Sequence, residues 1–105
     1  MARPQISTCG CFMIFNKTTR KVYICTSKHT RRLYSQIKYM LKNNRFKNMA
    51  LTKDWEKYGE DDFAYQLLEE CTPEDFYAVK KKWIEYYKAD QPEKGYNSSE
   101  NTYNI

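Results

Sequence analysis

Hydrophobic and polar positions change period along this chain, and each change marks an element. Residues 9–16, Cys-Gly-Cys-Phe-Met-Ile-Phe-Asn, are dense in strand formers. The polar stretch 16–21 predicts a turn, and residues 21–26, Lys-Val-Tyr-Ile-Cys-Thr, alternate as the return strand of a hairpin. Over 30–42 the period lengthens. Leu33, Ile37, Met40 and Leu41 fall at i, i+4, i+7 and i+8, with Arg31, Lys38, Lys42 and Arg45 on a neighbouring strip. Residues 50–58 predict a short helix carrying Leu51, Trp55 and Tyr58, closed by Gly59. Residues 62–69 read as a third strand. Thr72 as N-cap, Pro73 at the first position and the acids Glu74 and Asp75 open a last helix that runs to about residue 88. Its apolar face is expected to hold Phe76, Val79, Trp83, Tyr86 and Tyr87, and Lys80 shares that stripe. The order ββααβα predicts an α+β fold, a three-stranded antiparallel sheet flanked by three helices. Residues 1–8 read as a loose leader, 9–97 as the domain and 98–105 as a polar tail.

The length of 105 residues allows a single domain. The net charge of +5 conceals a division. Residues 1–53 hold twelve Lys or Arg and no acid, whereas 54–105 hold six bases and thirteen acids. A basic half without a carboxylate points to a polyanion partner, unless the two halves fold together and neutralise each other. No window approaches 18 uncharged apolar residues, and the start lacks an apolar signal core, so neither a membrane span nor secretion is expected. The expected compartment is the cytoplasm, where Cys9, Cys11, Cys25 and Cys71 stay reduced. Cys9 and Cys11, two apart on one strand face, suit small core residues. Zinc is not expected, because the pattern is Cys-x-Cys with a lone His29 in a polar turn.

The ordered motifs carry a family likeness. Gly10-Cys11-Phe12 and, after a short turn, Val22-Tyr23-Ile24-Cys25 resemble the paired triplets of the GIY-YIG endonuclease superfamily. Ser27-Lys28, Arg31-Arg32, Trp55 to Gly59, Phe63, Trp83-Ile84 and Gly95-Tyr96-Asn97 follow in that family's order over about residues 9–97. The nearest look-alikes are the catalytic domains of phage-type homing endonucleases. The resemblance implies the same small sheet with flanking helices. It also implies DNA cleavage with a divalent metal held by a Glu on the last helix, an Arg on the first helix stabilising charge at phosphorus, and signature tyrosines around the scissile phosphate.

At those positions the chain departs from its look-alikes. The first signature Tyr is Phe12, and the second triplet keeps Tyr23 but ends in Cys25. Aligning Ser35 and Lys38 puts the catalytic Arg at Leu33 and a family His at Ile37, with a further His near Phe46. A shift of one residue would give the Arg role to Arg32 instead. The metal Glu becomes Lys80, and residues 76–84 contain no acid in any register. An ammonium in place of a carboxylate repels a nearby cation, since two unit charges 4 Å apart interact by about 4 kcal/mol at an effective dielectric of 20 and a dication doubles that. It would instead hold a phosphate.

The expectation is therefore a catalytically inactive domain with no cofactor that binds phosphate-bearing ligands, nucleic acid favoured. Its candidate contacts are Tyr23, Arg31, Arg32, Lys38, Lys80 and Asn97. Three alternatives stand beside it. One is a pocket that sequesters a small nucleotide signal in an anti-defence role. Another is a divergent nuclease using Mg²⁺. The last is a protein-binding adaptor. A homodimer remains open.

Overall fold

The computed structural model describes residues 8–97, so all but the last residue of the expected leader, and the expected tail, lie outside the described residues. The elements run β1 (Gly10–Asn16), β2 (Val22–Ser27), α1 (Thr30–Lys42), α2 (Met49–Tyr58), β3 (Phe63–Glu70) and α3 (Phe76–Tyr87), with 3₁₀ turns at Glu60–Asp62 and Pro73–Asp75. One antiparallel sheet forms in the order β2-β1-β3. No described helix is long and apolar enough to cross a membrane.

Alternation in the strands divides the core between the two faces of the sheet. Phe12, Ile14, Tyr23 and Cys25 turn one way and pack with Ile37, Leu41, Leu51 and Trp55 of α1 and α2. Cys11, Met13, Val22 and Ile24 turn the other way, onto Val79 and Ile84 of α3 and onto Ala89. A continuous apolar run over Cys11–Ile14 is what a central strand covered on both faces requires. Gly10 is needed where β1 and β3 close up: a Cβ there would lie 2.3 Å from the Glu69 carbonyl oxygen.

Several expectations shift. Residue 8 is not loose, since the Thr8 carbonyl accepts from the Thr30 N–H at the head of α1. Pro73 opens a 3₁₀ turn rather than the α-helix, because Thr72 caps nothing; its hydroxyl points to Glu74, and α3 starts at Phe76. Tyr86 is 71% exposed, against the expectation that it lies on the apolar face. Ile84 takes the inward position, while Tyr86 stands at the rim edge-on to Trp83 and Tyr87. Trp83 is only half-buried and donates its indole N–H to Glu69. Cys9 is half-buried at the end of β1, so of the expected core pair only Cys11 is fully inside.

After α3, Lys88 takes a left-handed conformation (φ 57°), and the chain returns to the outer edge of β2. Gly95 forms a parallel bridge with Val22, and a Cβ on Gly95 would lie 2.3 Å from the Ala89 Cα. Tyr96, fully buried, donates its hydroxyl to Asp54 and accepts from the Asn16 amide, and its carbonyl accepts from Asn48. This segment ties the chain's end to the hairpin and to α2.

Candidate functional site

The return segment, described as far as Asn97, lies along Val22–Ile24 of β2. Beyond it, where α1 and α3 flank the strand from opposite faces, a cleft of about 200 Å³ opens, lined by Tyr23, Cys25, Thr26, Leu33, Ile37, Met40, Phe46 and Lys80. Each wall has a local cause. Leu33, Ile37 and Met40 are the apolar stripe of α1. Tyr23 and Cys25 alternate toward α1, and Tyr23 meets Phe46 edge-on at 5.8 Å. Thr26 alternates the other way, toward α3, which supplies Lys80.

Two polar groups stand out in this apolar surround. Thr26 is 6% exposed, and its buried hydroxyl has no hydrogen-bond partner among the described residues. Lys80 is 9% exposed and makes no ion pair with any described carboxylate. The charge on Lys80 is felt by the buried thiol of Cys11. Burial pushes that thiol up to about 12, Cys71 adds to the shift, and Lys80 opposes it. The thiol is neutral at physiological pH, so it does not balance the ammonium. A buried lysine without a carboxylate partner thus shares the cleft with a buried unpaired hydroxyl, and an anion would engage both.

The structure brings Tyr23, Leu33, Ile37 and Lys80 together in this cleft, with Phe46. It places the other candidates elsewhere. Arg31 lies over the Tyr65 ring at 4.8 Å. Arg32 sits on the outer face of α1 beside Ser35, Gln36, Tyr39 and Met40, so Leu33, and not Arg32, occupies the cleft position on the first helix. Lys38 lies over Tyr34 at 4.7 Å and 4.0 Å from Glu60, which Lys42 also engages at 3.1 Å. Those two lysines of the basic half are thus met by a carboxylate of the acidic half. Asn97 reaches the edge of β2 rather than the cleft. Its amide accepts from the Ile24 N–H and donates to the Ile24 carbonyl. Phe12 lies beneath, fully buried and tilted against Tyr65 at 5.2 Å. Sequence reasoning missed Thr26. Its only signal was strand alternation, which turns it toward the same helix that carries Lys80.

The donor set does not suit a divalent cation. The cleft offers a phenol, a hydroxyl, a thiol and an ammonium, with no carboxylate or imidazole, and no three His, Cys, Asp or Glu among the described residues group to hold a metal. It suits an oxyanion: a fixed positive charge, a free hydroxyl donor and apolar walls that strengthen both.

No protein-family model matches the chain, and no curated protein matches it. Two solved structures do. One is the catalytic domain of homing endonuclease I-TevI, with a TM-score of 0.80, 21% identity, and coverage of 88% of this chain and 99% of that one. The other is the catalytic domain of intron endonuclease I-TevI in a mutant form, with a TM-score of 0.76, 22% identity, and coverage of 88% and 94%. The likeness is one of fold. Three antiparallel strands in one sheet with three helices make the GIY-YIG-like architecture expected from the ordered motifs.

Proposed function

We propose that this domain binds nucleic acid through the cleft between α1, β2 and α3 and does not hydrolyse it. The observation that carries the reading is the pairing of Lys80, buried without a counter-charge, with the orphaned hydroxyl of Thr26. A phosphate oxygen in the cleft would accept from both. The ammonium supplies the charge as a point donor, the hydroxyl adds direction, and Leu33, Ile37 and Phe46 add apolar contact. The solved neighbours are catalytic domains of an endonuclease by description, which makes a nucleic-acid strand the natural ligand to test on the same fold. Three of the walls are Leu33, Ile37 and Lys80, where the resemblance calls for Arg, His and Glu. That replacement supports binding without cleavage.

The size of the cleft favours a strand over a free nucleotide. Pockets that enclose a small molecule measure about 300–1,000 Å³, whereas this one measures about 200 Å³. It can take one backbone phosphate of a chain that otherwise lies outside.

The test is a titration of labelled duplex and single-stranded DNA at low and moderate salt with Mg²⁺ present, run in parallel on native and denaturing gels. The reading expects a shifted but intact strand. It also expects a log–log salt slope of about −0.9 per phosphate engaged on duplex. Shortened DNA would return the protein to the nucleases. Absence of any shift would end the reading and favour a protein partner.

A further inference from the structure

The sheet face that α3 covers is left open at its hairpin end. α3 stops at Tyr87, and past it Met13, Phe15 and Val22 form the floor of a groove of about 580 Å³, with Tyr87 as a wall and Lys17, Arg20 and Gln66 around it. This groove shares no lining residue with the cleft that holds Lys80.

Its charged groups are both cations. The Lys17 ammonium donates to the main-chain carbonyl of Asp61 at 3.1 Å, which positions it without cancelling its charge. The Arg20 guanidinium has no partner among the described residues, and neither has the Gln66 amide. Arg20 also stands in a left-handed conformation, φ 70°, where glycine or asparagine is the unstrained choice. The turn holds it there. The Arg20 N–H donates to the Asn16 carbonyl at 2.8 Å, and the Asn16 side chain accepts from Thr18 and Thr19. The Arg20 side chain is exposed at the rim of the groove, and the fold leaves its head group available to a ligand there. Across the groove Tyr87 is set by its neighbours, nearly parallel to Trp83 at 6.0 Å and edge-on to Tyr86 at 4.9 Å.

We propose that this groove is a second site, which takes a free nucleoside monophosphate. The base packs on Tyr87 above Phe15 and Met13. The phosphate dianion meets the two cations, Arg20 and Lys17, and Gln66 offers a donor and an acceptor to the edge of the base. The charges match, the aromatic wall is in place before binding, and the volume falls within the range of about 300–1,000 Å³ usual for small-ligand sites. The site is independent of the strand-binding reading of the cleft.

The test is isothermal titration of the full chain with AMP, with inorganic phosphate as the control. One AMP per chain is expected, with phosphate binding at least about 10-fold more weakly because the stacked base is missing. Arg20→Gly should weaken AMP about 10-fold or more while the melting temperature stays level or rises, since glycine relieves the left-handed strain. Tyr87→Leu should weaken AMP similarly, and Lys80→Glu should leave it unchanged. The proposal fails if AMP does not bind at millimolar concentration, if phosphate binds as well as AMP, or if Arg20→Gly has no effect. Loss of AMP in Lys80→Glu would place the nucleotide in the cleft and also overturn it. Displacement of AMP by an equal concentration of an oligonucleotide lacking a terminal phosphate would assign the groove to a strand instead.

Discussion

The side-chain amide of Asn97 holds the peptide of Ile24 at both ends, accepting from its N–H at 2.9 Å and donating to its carbonyl at 3.2 Å. β2 is an edge strand, and its outward-facing backbone groups need partners. Asn97 supplies them from a side chain, in place of a further strand. Asn97→Ala leaves both groups of a buried peptide unpaired and should cost about 1–3 kcal/mol. Denaturant unfolding measures this. DNA binding by the folded fraction should be unchanged, because Asn97 does not line the cleft.

Lys80 is the cleft's only cation among the described residues. Lys80→Glu should lower DNA affinity by about 10-fold or more at low salt, since attraction becomes repulsion across a poorly screened distance. Lys80→Arg should retain most of the binding. No Mg²⁺-dependent cutting should appear in Lys80→Glu, because Leu33 and Ile37 still offer neither charge nor a proton. Native and denaturing gels report both outcomes.

Thr26→Val separates stability from binding. Valine keeps the branched shape and removes a hydroxyl that the fold leaves unpaired. The variant should be as stable as the parent, or more stable by about 1 kcal/mol. Its DNA affinity should fall, by about 10-fold or more for one lost hydrogen bond to a charged group. Loss of stability without loss of affinity would contradict the role assigned to this hydroxyl.

The rotation of α1 makes a further prediction. Leu33 faces the cleft, and Arg32 faces out beside Tyr39. Leu33→Arg should therefore add a second cation to the cleft and tighten DNA binding several-fold. Arg32→Ala should leave the cleft's contribution intact and reduce only the salt-sensitive part, by about one phosphate's slope or less. Affinity measured across a salt series distinguishes the two.

One pH dependence follows from a single carboxylate. Hydrogen bonds from Lys82 and then from the Trp83 indole hold the Glu69 carboxyl below its ordinary range. Its folded pKa lies under its unfolded one, so the clip's stabilisation is present above the ordinary glutamate value and is lost as pH falls through the lowered folded value. Trp83 fluorescence should change in acid below about pH 4.5 and stay flat between about pH 6 and 8. Glu69→Gln should remove the acid transition.

Periodicity carried the fold a long way. The hairpin, the first two helices and the third strand fall within a residue or so of the elements observed, because alternation and the 3.6-residue repeat are local and each buried stripe is long enough to read. Where local signals were short or ambiguous, expectation and structure part. Thr72 and Pro73 look like a helix start but form a 3₁₀ turn, and Tyr86 looks like part of the stripe of α3 but gives its place to Ile84. A repeat of 100° per residue cannot say which of several adjacent aromatics will meet the sheet.

The site divides in the same way. The sequence alone determined that a lysine stands where the resemblance calls for an acid, that Leu33 and Ile37 share a face, and that the basic residues gather in one half. Only tertiary structure decided which of those cations is buried in a cleft without a carboxylate partner. Arg31 is taken by Tyr65 and Lys38 by Tyr34 and Glu60, partners 22 or more residues away in the chain for all but Tyr34. Lys80 reaches a cleft whose walls come from β2, α1 and the loop after it. Whether a charge is neutralised depends on what lies within a few ångströms of it, and in a chain this short those neighbours are set by how the sheet and helices pack.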